Sequence, residues 1–96
     1  MLRHTVVFRW RLGIPSGDVD EVTAALRRLP STIPELRAYH VGRDAGLTGG
    51  NWDFAVVADF DDAAGWRAYL DHPAHQEALA RIRAMAEERA AVQYEF

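Results

Sequence analysis

The sequence contains no cysteine and no lysine. Without cysteine there is no disulfide framework, no thiolate nucleophile and no cysteine-based zinc site. All eleven basic side chains are arginines, set against fourteen acidic ones for a net charge of −3. That balance argues against nucleic-acid binding, which calls for a basic face. The missing lysines, beside sixteen alanines, read as codon composition and not as function. No apolar run approaches the ~18–20 residues of a membrane span, and the start of the chain lacks the apolar core of a signal peptide. A cytoplasmic protein with no membrane partner is the expectation. No Ser-His-Asp set, glycine-rich phosphate loop or carboxylate pair is readable, and Gly49-Gly50 is a turn with no nucleotide motif around it.

What is present is ordinary globular composition, 49% hydrophobic and 26% charged over 96 residues. That length predicts one domain over residues 1–96. It buries only about 60–70% of the surface its unfolded form exposes, so an isolated copy is short of stabilising surface.

Residues 3–11 alternate, with His4, Val6, Phe8 and Trp10 on one face and Arg3, Thr5, Val7, Arg9 and Arg11 on the other. This is the period of a half-buried strand. Gly13, Pro15 and Gly17 break it, and Ser16 or Asp18 is placed to cap a helix carrying Val19, Val22, Leu26 and Leu29 at helical spacing. Pro30 ends that helix. Residues 31–35 read as a turn or a single helical turn, 36–43 as a second strand with His40 toward solvent or an interface, and 44–51 as a loop. A third strand spans Trp52 to Phe60, with Trp52, Phe54, Val56 and Ala58 on one face. Asp61 or Asp62 caps the next helix, which bears Trp66, Tyr69 and Leu70. Proline pushes its predecessor out of the helical region and is well suited to a first helical position. His72 is therefore expected to cap a second segment opening at Pro73, with Leu79, Ile82, Met85 and Ala86 on one stripe. Residues 91–96 alternate again as a fourth strand.

The order β-α-β-β-α-β predicts an α+β, ferredoxin-like four-stranded antiparallel sheet with two helices on one face. The other face would carry Thr5, Val7, Ala55, Val57, Val92, Tyr94 and Phe96. At about 25 cal/mol per Å² of apolar surface this patch is costly to leave wet, so pairing with a second copy as a dimeric α+β barrel is expected. Strands one and three should be antiparallel neighbours, with His4 opposite Ala58 and Phe8 opposite Phe54. That register sets Arg3 opposite Asp59 and Arg9 opposite Asp53, two opposite-charge pairs.

The opening H-T-V-V-F-R-W, the I-P-E-L turn before Y-H-V-G, the strand ending D-F-D-D and the run Y-L-D-H-P-A-H-Q together resemble the stress-responsive A/B barrel domain family. The resemblance covers nearly the whole chain, and its most specific part is H-P-x-H at His72, Pro73, Ala74 and His75. It implies small dimeric α+β barrel proteins. The family includes plant stress proteins, many unassigned bacterial proteins and a plant polyketide cyclase, olivetolic acid cyclase. In that cyclase a tyrosine and the second histidine of the H-P-x-H element promote an intramolecular aldol condensation without metal or cofactor. Those positions match Tyr69 and His75 here, and its strand-one histidine matches His4. A further histidine on its third strand is replaced by Phe54, a departure from the cyclase pattern.

Tyr69 and His75 lie six residues apart, about 240° around one straight helix, so only the break at His72–Pro73 lets them converge. A histidine can remove a proton next to a ketone and a tyrosine hydroxyl can hold the resulting enolate oxygen. The same two side chains can instead lock the helix junction by hydrogen bonds. His4, on an apolar face, is either a satisfied core histidine or a pocket wall. His72 is first a cap. His72, His75 and His4 with a carboxylate are the one set with metal-ligand character, yet no metal is expected from their spacing. Phe8, Trp10, Trp52, Phe54, Trp66 and Tyr69 are mostly core, and some can wall a pocket for an apolar or aromatic molecule. The candidate site is thus His75 and Tyr69 as reactive groups, with His4, Val6, Phe8, Phe54, Val56, Trp66 and His72 around a ligand. Three readings follow: a homodimer that binds a small apolar or aromatic molecule, a cofactor-independent polyketide cyclase or lyase, and a non-catalytic, stress-linked structural or interaction dimer with a filled core.

Overall fold

A computed structural model describes residues 1–96. Strand β1 (Leu2–Trp10) is followed by helix α1 (Ser16–Arg27), a short 3-10 turn over Leu29–Ser31, and strands β2 (Ala38–Arg43) and β3 (Phe54–Phe60). Helices α2 (Ala63–Asp71) and α3 (Pro73–Met85) then lead into β4 (Ala86–Glu95). The four strands form one antiparallel sheet in the order β2-β3-β1-β4. This is the expected ferredoxin-like architecture, its second helical layer divided in two.

The alternation in β1 and β3 decides which side chains meet the helices. His4, Val6, Phe8, Phe54, Val56 and Ala58 are all buried, and they pack with Val19, Val22 and Leu26 of α1 and Ala78, Ile82 and Met85 of α3. The register has His4 opposite Ala58 and Phe8 opposite Phe54. Arg3 therefore meets Asp59 on the outer face, where its guanidinium donates two hydrogen bonds of 2.7 and 2.8 Å to the carboxylate. Those bonds hold the Asp59 carboxyl below its usual range, since the charged form has a partner on both oxygens.

The second expected pair, Arg9 with Asp53, does not form. β3 begins at Phe54, two residues later than its alternation suggests. Asp53 therefore precedes the ladder and its carboxylate accepts from the Trp10 backbone N–H at 2.9 Å. Arg9 instead lies over the Trp52 ring, 4.8 Å from its centroid. Trp52 thus joins Arg9 and is absent from the hydrophobic core, a correction to its expected inward place with Phe54.

The larger correction concerns β4. It starts at Ala86, directly after α3, and pairs with β1 along its length, Trp10 opposite Ala86 and Leu2 opposite Glu95. The run A-E-E-R-A between 86 and 90 is made of strong helix formers, so its local preference points to more helix. Backbone pairing to β1 overrides that preference. β4 is an edge strand exposed along nearly all of its length, so no burial pattern marks it in the sequence. Ala86 accordingly leaves the helical stripe. α1 also departs from expectation in its start, which has Pro15 at the cap position and no side-chain cap from Ser16 or Asp18.

On the face away from the helices, Thr5, Val7, Ala55 and Val57 are half-buried. Val92, Tyr94 and Phe96 beside them are 55%, 45% and 57% exposed. No helix is long and apolar enough to cross a membrane.

Candidate functional site

The site is built around the junction of α2 and α3. Asp62 caps α2 by accepting from the Gly65 N–H at 2.9 Å. At the other end His72 takes an extended conformation, φ −65° and ψ 133°, as a residue before proline must. Its Nδ1 then accepts from the Ala74 N–H at 3.1 Å and caps α3, with Pro73 in the first turn. In an unbroken helix the Ala74 N–H would bond to the Leu70 carbonyl. The break diverts it and leaves that carbonyl without a backbone donor. Two side chains replace the lost donor: His75 Nδ1 lies 3.3 Å from the Leu70 oxygen, and the Gln76 side-chain amide also donates to it.

That contact fixes the chemistry of His75. A carbonyl oxygen can only accept, so Nδ1 carries the proton and Nε2 holds a lone pair. Locking the junction and presenting a base are therefore not competing roles, because they use different nitrogens of one ring. The bend also turns the second segment so that the His75 and Tyr69 rings meet, their centroids 4.1 Å apart.

Both rings face a cleft of about 440 Å³ between α3 and the β1–β4 side of the sheet. His4, Val6, Val56, Tyr69 and His75 line it, and Leu26, Leu79 and Ile82 supply further apolar wall. Of the other candidates, Phe8 and Phe54 do not reach it. Phe8 is four residues along β1 from His4, about 13 Å away, and both phenylalanines pack on Trp10. Trp66 lies beside His4, ring centroids 6.2 Å apart, but is outside the lining. His72 is spent on its cap. No group of three or more His, Cys, Asp or Glu side chains comes close enough together to hold a metal ion.

Three polar partners were not visible as such in the sequence. Tyr39 from β2 meets Tyr69, hydroxyl to hydroxyl at 3.0 Å. Its inward direction follows from its register opposite the fully buried Ala58. Gln93 from β4 stands opposite His4, and its side-chain nitrogen is 2.8 Å from His4 Nδ1. An amide nitrogen only donates, so Nδ1 of His4 accepts and the neutral ring keeps its proton on Nε2. Gln76 is the third, at the Leu70 carbonyl. The only buried side-chain nitrogens or oxygens without a partner are Arg9 Nε and Trp66 Nε1. The Nε2 atoms of His4 and His75 make no protein hydrogen bond and are not sealed off, so one can donate and the other accept from a molecule in the cleft.

Burial sets the protonation of these groups. It lowers the pKa of His4 to about 4, with Arg89 and His75 adding to the effect. It lowers that of His75 too, against the Leu70 hydrogen bond and with help from Arg83 and His72. Burial pushes Tyr69 up to about 12, and its hydrogen bond from Tyr39 pulls it back down. Burial raises Tyr39 as well. With Tyr39 as donor, Tyr69 retains its own O–H for a further acceptor.

The histidine shifts carry a stability prediction. An unfolded histidine titrates near 6.5, so between that value and about 4 the unfolded chain binds more protons than the folded one. Stability is then fully present above about pH 6.5 and is lost as the pH falls through the folded values. Allowing for solvent screening, stability at pH 5 is expected to be about 1–2 kcal/mol below that at pH 7. Asp71 is the one acidic side chain that lines the same cleft. Urea unfolding at the two pH values measures the difference, and His4→Gln should remove much of it. Equal midpoints at both pH values would contradict the burial argument.

The family described as stress responsive A/B barrel domain matches residues 2–96, and the chain belongs to that family. An uncharacterized protein of Streptomyces coelicolor is 35% identical over 89 residues, which are 90% of this chain and 91% of that protein. A dimeric ferredoxin-like protein of unknown function from Thermobifida fusca is 49% identical in sequence. Its crystal structure superposes with a TM-score of 0.93 over 99% of this chain and 90% of that chain. A hydroxynitrile lyase from Passiflora edulis, 20% identical, superposes with a TM-score of 0.84 over 97% of this chain and 90% of that one. At that identity the likeness is one of fold.

Proposed function

We propose that this chain is the subunit of a homodimer that binds a small apolar or aromatic molecule in the cleft between sheet and helices. The observation that carries the reading is the cleft itself. It has an apolar wall, two neutral imidazoles of opposite hydrogen-bonding sense and a buried tyrosine hydroxyl. Each imidazole is anchored through Nδ1 and leaves Nε2 toward the cleft, and Tyr69 keeps its own O–H when Tyr39 donates, so a bound molecule with a carbonyl or hydroxyl meets both donors and an acceptor. A filled interior, as a purely structural dimer would have, offers no such space. The dimer is supported by the apolar outer face and by the dimeric Thermobifida fusca relative.

The tautomer of His75 favours a second reading, a cofactor-independent cyclase or lyase. Nε2 would take a proton from the carbon beside a ketone, and the enolate oxygen would accept the Tyr69 hydrogen bond. The enolate carbon would then attack a second carbonyl of the same molecule, forming the new C–C bond. The proton on Nε2 would pass to the resulting alkoxide. The low pKa of His75 keeps it neutral, hence competent as a base, at neutral pH.

Two measurements test the first reading. Light scattering should give twice the chain mass, and a monomer at micromolar concentration would remove the dimer. An NMR titration with 2-acetylnaphthalene should move resonances of His4, Val6, Val56 and His75. Shifts confined to other surfaces, or none at millimolar ligand, would remove the binding site.

A further inference from the structure

The charged groups around the cleft differ from those of the chain as a whole. The protein is net negative, yet the titratable side chains lining the cleft are Asp71 of α2, His75 and Arg83 of α3, His4 of β1 and Arg89 of β4, with Tyr69 beneath them. With both histidines neutral, two arginines face one carboxylate. Arg3, Arg37, Arg43 and Arg81 are each paired with a carboxylate elsewhere, and of the arginines that form no ion pair only Arg83 and Arg89 line the cleft. Arg9 and Arg67 lie over tryptophan rings. Burial is the main cause of the histidines' lowered pKa, and repulsion from Arg89 on His4 and from Arg83 on His75 adds to it.

The register explains how Arg89 comes to the cleft. It stands opposite Phe8, so it shares the helix-facing side of the sheet with His4 and Gln93, although β4 itself is exposed. Arg83 enters from α3, one residue after the buried Ile82. The cleft therefore joins an apolar wall of Leu26, Val56, Leu79 and Ile82 to a cationic edge built from two different elements.

We infer that the cleft takes a carboxylate-bearing apolar molecule, its ring or chain against that wall and its anionic group at Arg83 and Arg89. This rests on the proposal that the cleft is a binding site and narrows its ligand class. Guanidinium groups bind carboxylates through two parallel N–H donors, and hydrogen bonds to charged groups are roughly twice as strong as neutral ones. Such an anion would also offset the repulsion on His75 and raise its basicity when ligand is present.

The test compares 1-naphthoate with 1-naphthamide, which share shape and differ in charge. Calorimetry at pH 7 on the intact protein should show the carboxylate binding at least about tenfold more tightly than the amide. That ratio should fall toward one in an Arg83→Gln/Arg89→Gln double variant, and rising salt should weaken the carboxylate alone. Each single variant should lose part of the preference, and melting curves should show the exposed substitutions leaving the fold intact. If both probes bind in the cleft with equal affinity, the carboxylate assignment falls and the binding site stands. If the preference survives the double variant, Arg83 and Arg89 are not its source and the assignment falls. If neither probe binds and 2-acetylnaphthalene also leaves the cleft resonances unmoved, the binding reading fails as well.

Discussion

If the cleft works as proposed for the cyclase or lyase reading, the His75→Asn variant is expected to keep its fold and lose proton transfer. The asparagine side-chain N–H can reach the Leu70 carbonyl in place of imidazole Nδ1–H, so the junction between α2 and α3 stays satisfied. Nothing in the variant replaces the Nε2 lone pair. His75→Ala also loses the bond to the Leu70 carbonyl, which should cost about 1 kcal/mol more in stability than the asparagine change. In a domain of this size that is about 4–8 °C in melting temperature. Exchange of solvent deuterium into the methyl group of 2-acetylnaphthalene, followed by NMR, reads the chemistry without knowledge of the natural substrate. The wild-type protein should accelerate exchange, and His75→Asn should reduce the acceleration by about 10²-fold or more, the range typical of a positioned general base. Equal exchange by both proteins would assign His75 to the junction alone.

Tyr69→Ala should be the most destabilising single substitution at the site. The Tyr69 side chain is 2% exposed and packs against Tyr39, Phe60, His4 and His75, with ring centroids between 4.1 and 6.2 Å. Removing a buried aromatic ring leaves a cavity and costs about 3–5 kcal/mol. Small domains have about 5–15 kcal/mol in total, so a large share of the stability would go. Tyr69→Phe keeps the ring and removes only the hydroxyl. It strands the Tyr39 hydroxyl, for about 1 kcal/mol, and should slow the deuterium exchange far more than it lowers the melting temperature. Thermal unfolding of the two variants separates packing from chemistry. A loss below about 1 kcal/mol for Tyr69→Ala would show that the ring is not the packing centre described here.

Features governed by a few neighbouring residues were legible in the sequence. The alternation His4-Val6-Phe8 placed a histidine beneath the helices because strand side chains alternate with period two. Pro73 dictated the helix break and His72 its cap, since the ring of proline constrains its predecessor and removes a donor. The β1–β3 register was read from two charge matches, and it holds although only Arg3 with Asp59 forms and Arg9 with Asp53 does not. Where local preference and tertiary pairing disagreed, the sequence misled. Residues 86–90 favour helix and became strand, and Asp53 fell outside the ladder that would have carried it to Arg9.

The arrangement of the candidate site was decided by tertiary structure. The hydrogen bond of Tyr39 to Tyr69 spans 30 positions and that of Gln93 to His4 spans 89. No spacing rule links residues so far apart. Their meeting follows from where each strand lies under the helices, and hence from packing. The parity of Gln93 could be read from its neighbours Val92 and Tyr94, but its partner depended on where β4 began. The protonated nitrogen of each imidazole depended in turn on those partners, because a ring acquires a defined donor and acceptor only when something fixes one of its two nitrogens. The amino-acid order thus determined which groups face inward and where the helix must break. Only the packed chain determined that α3 leaves a gap beside the edge strand β4, and that His75, Tyr69 and His4 line it together.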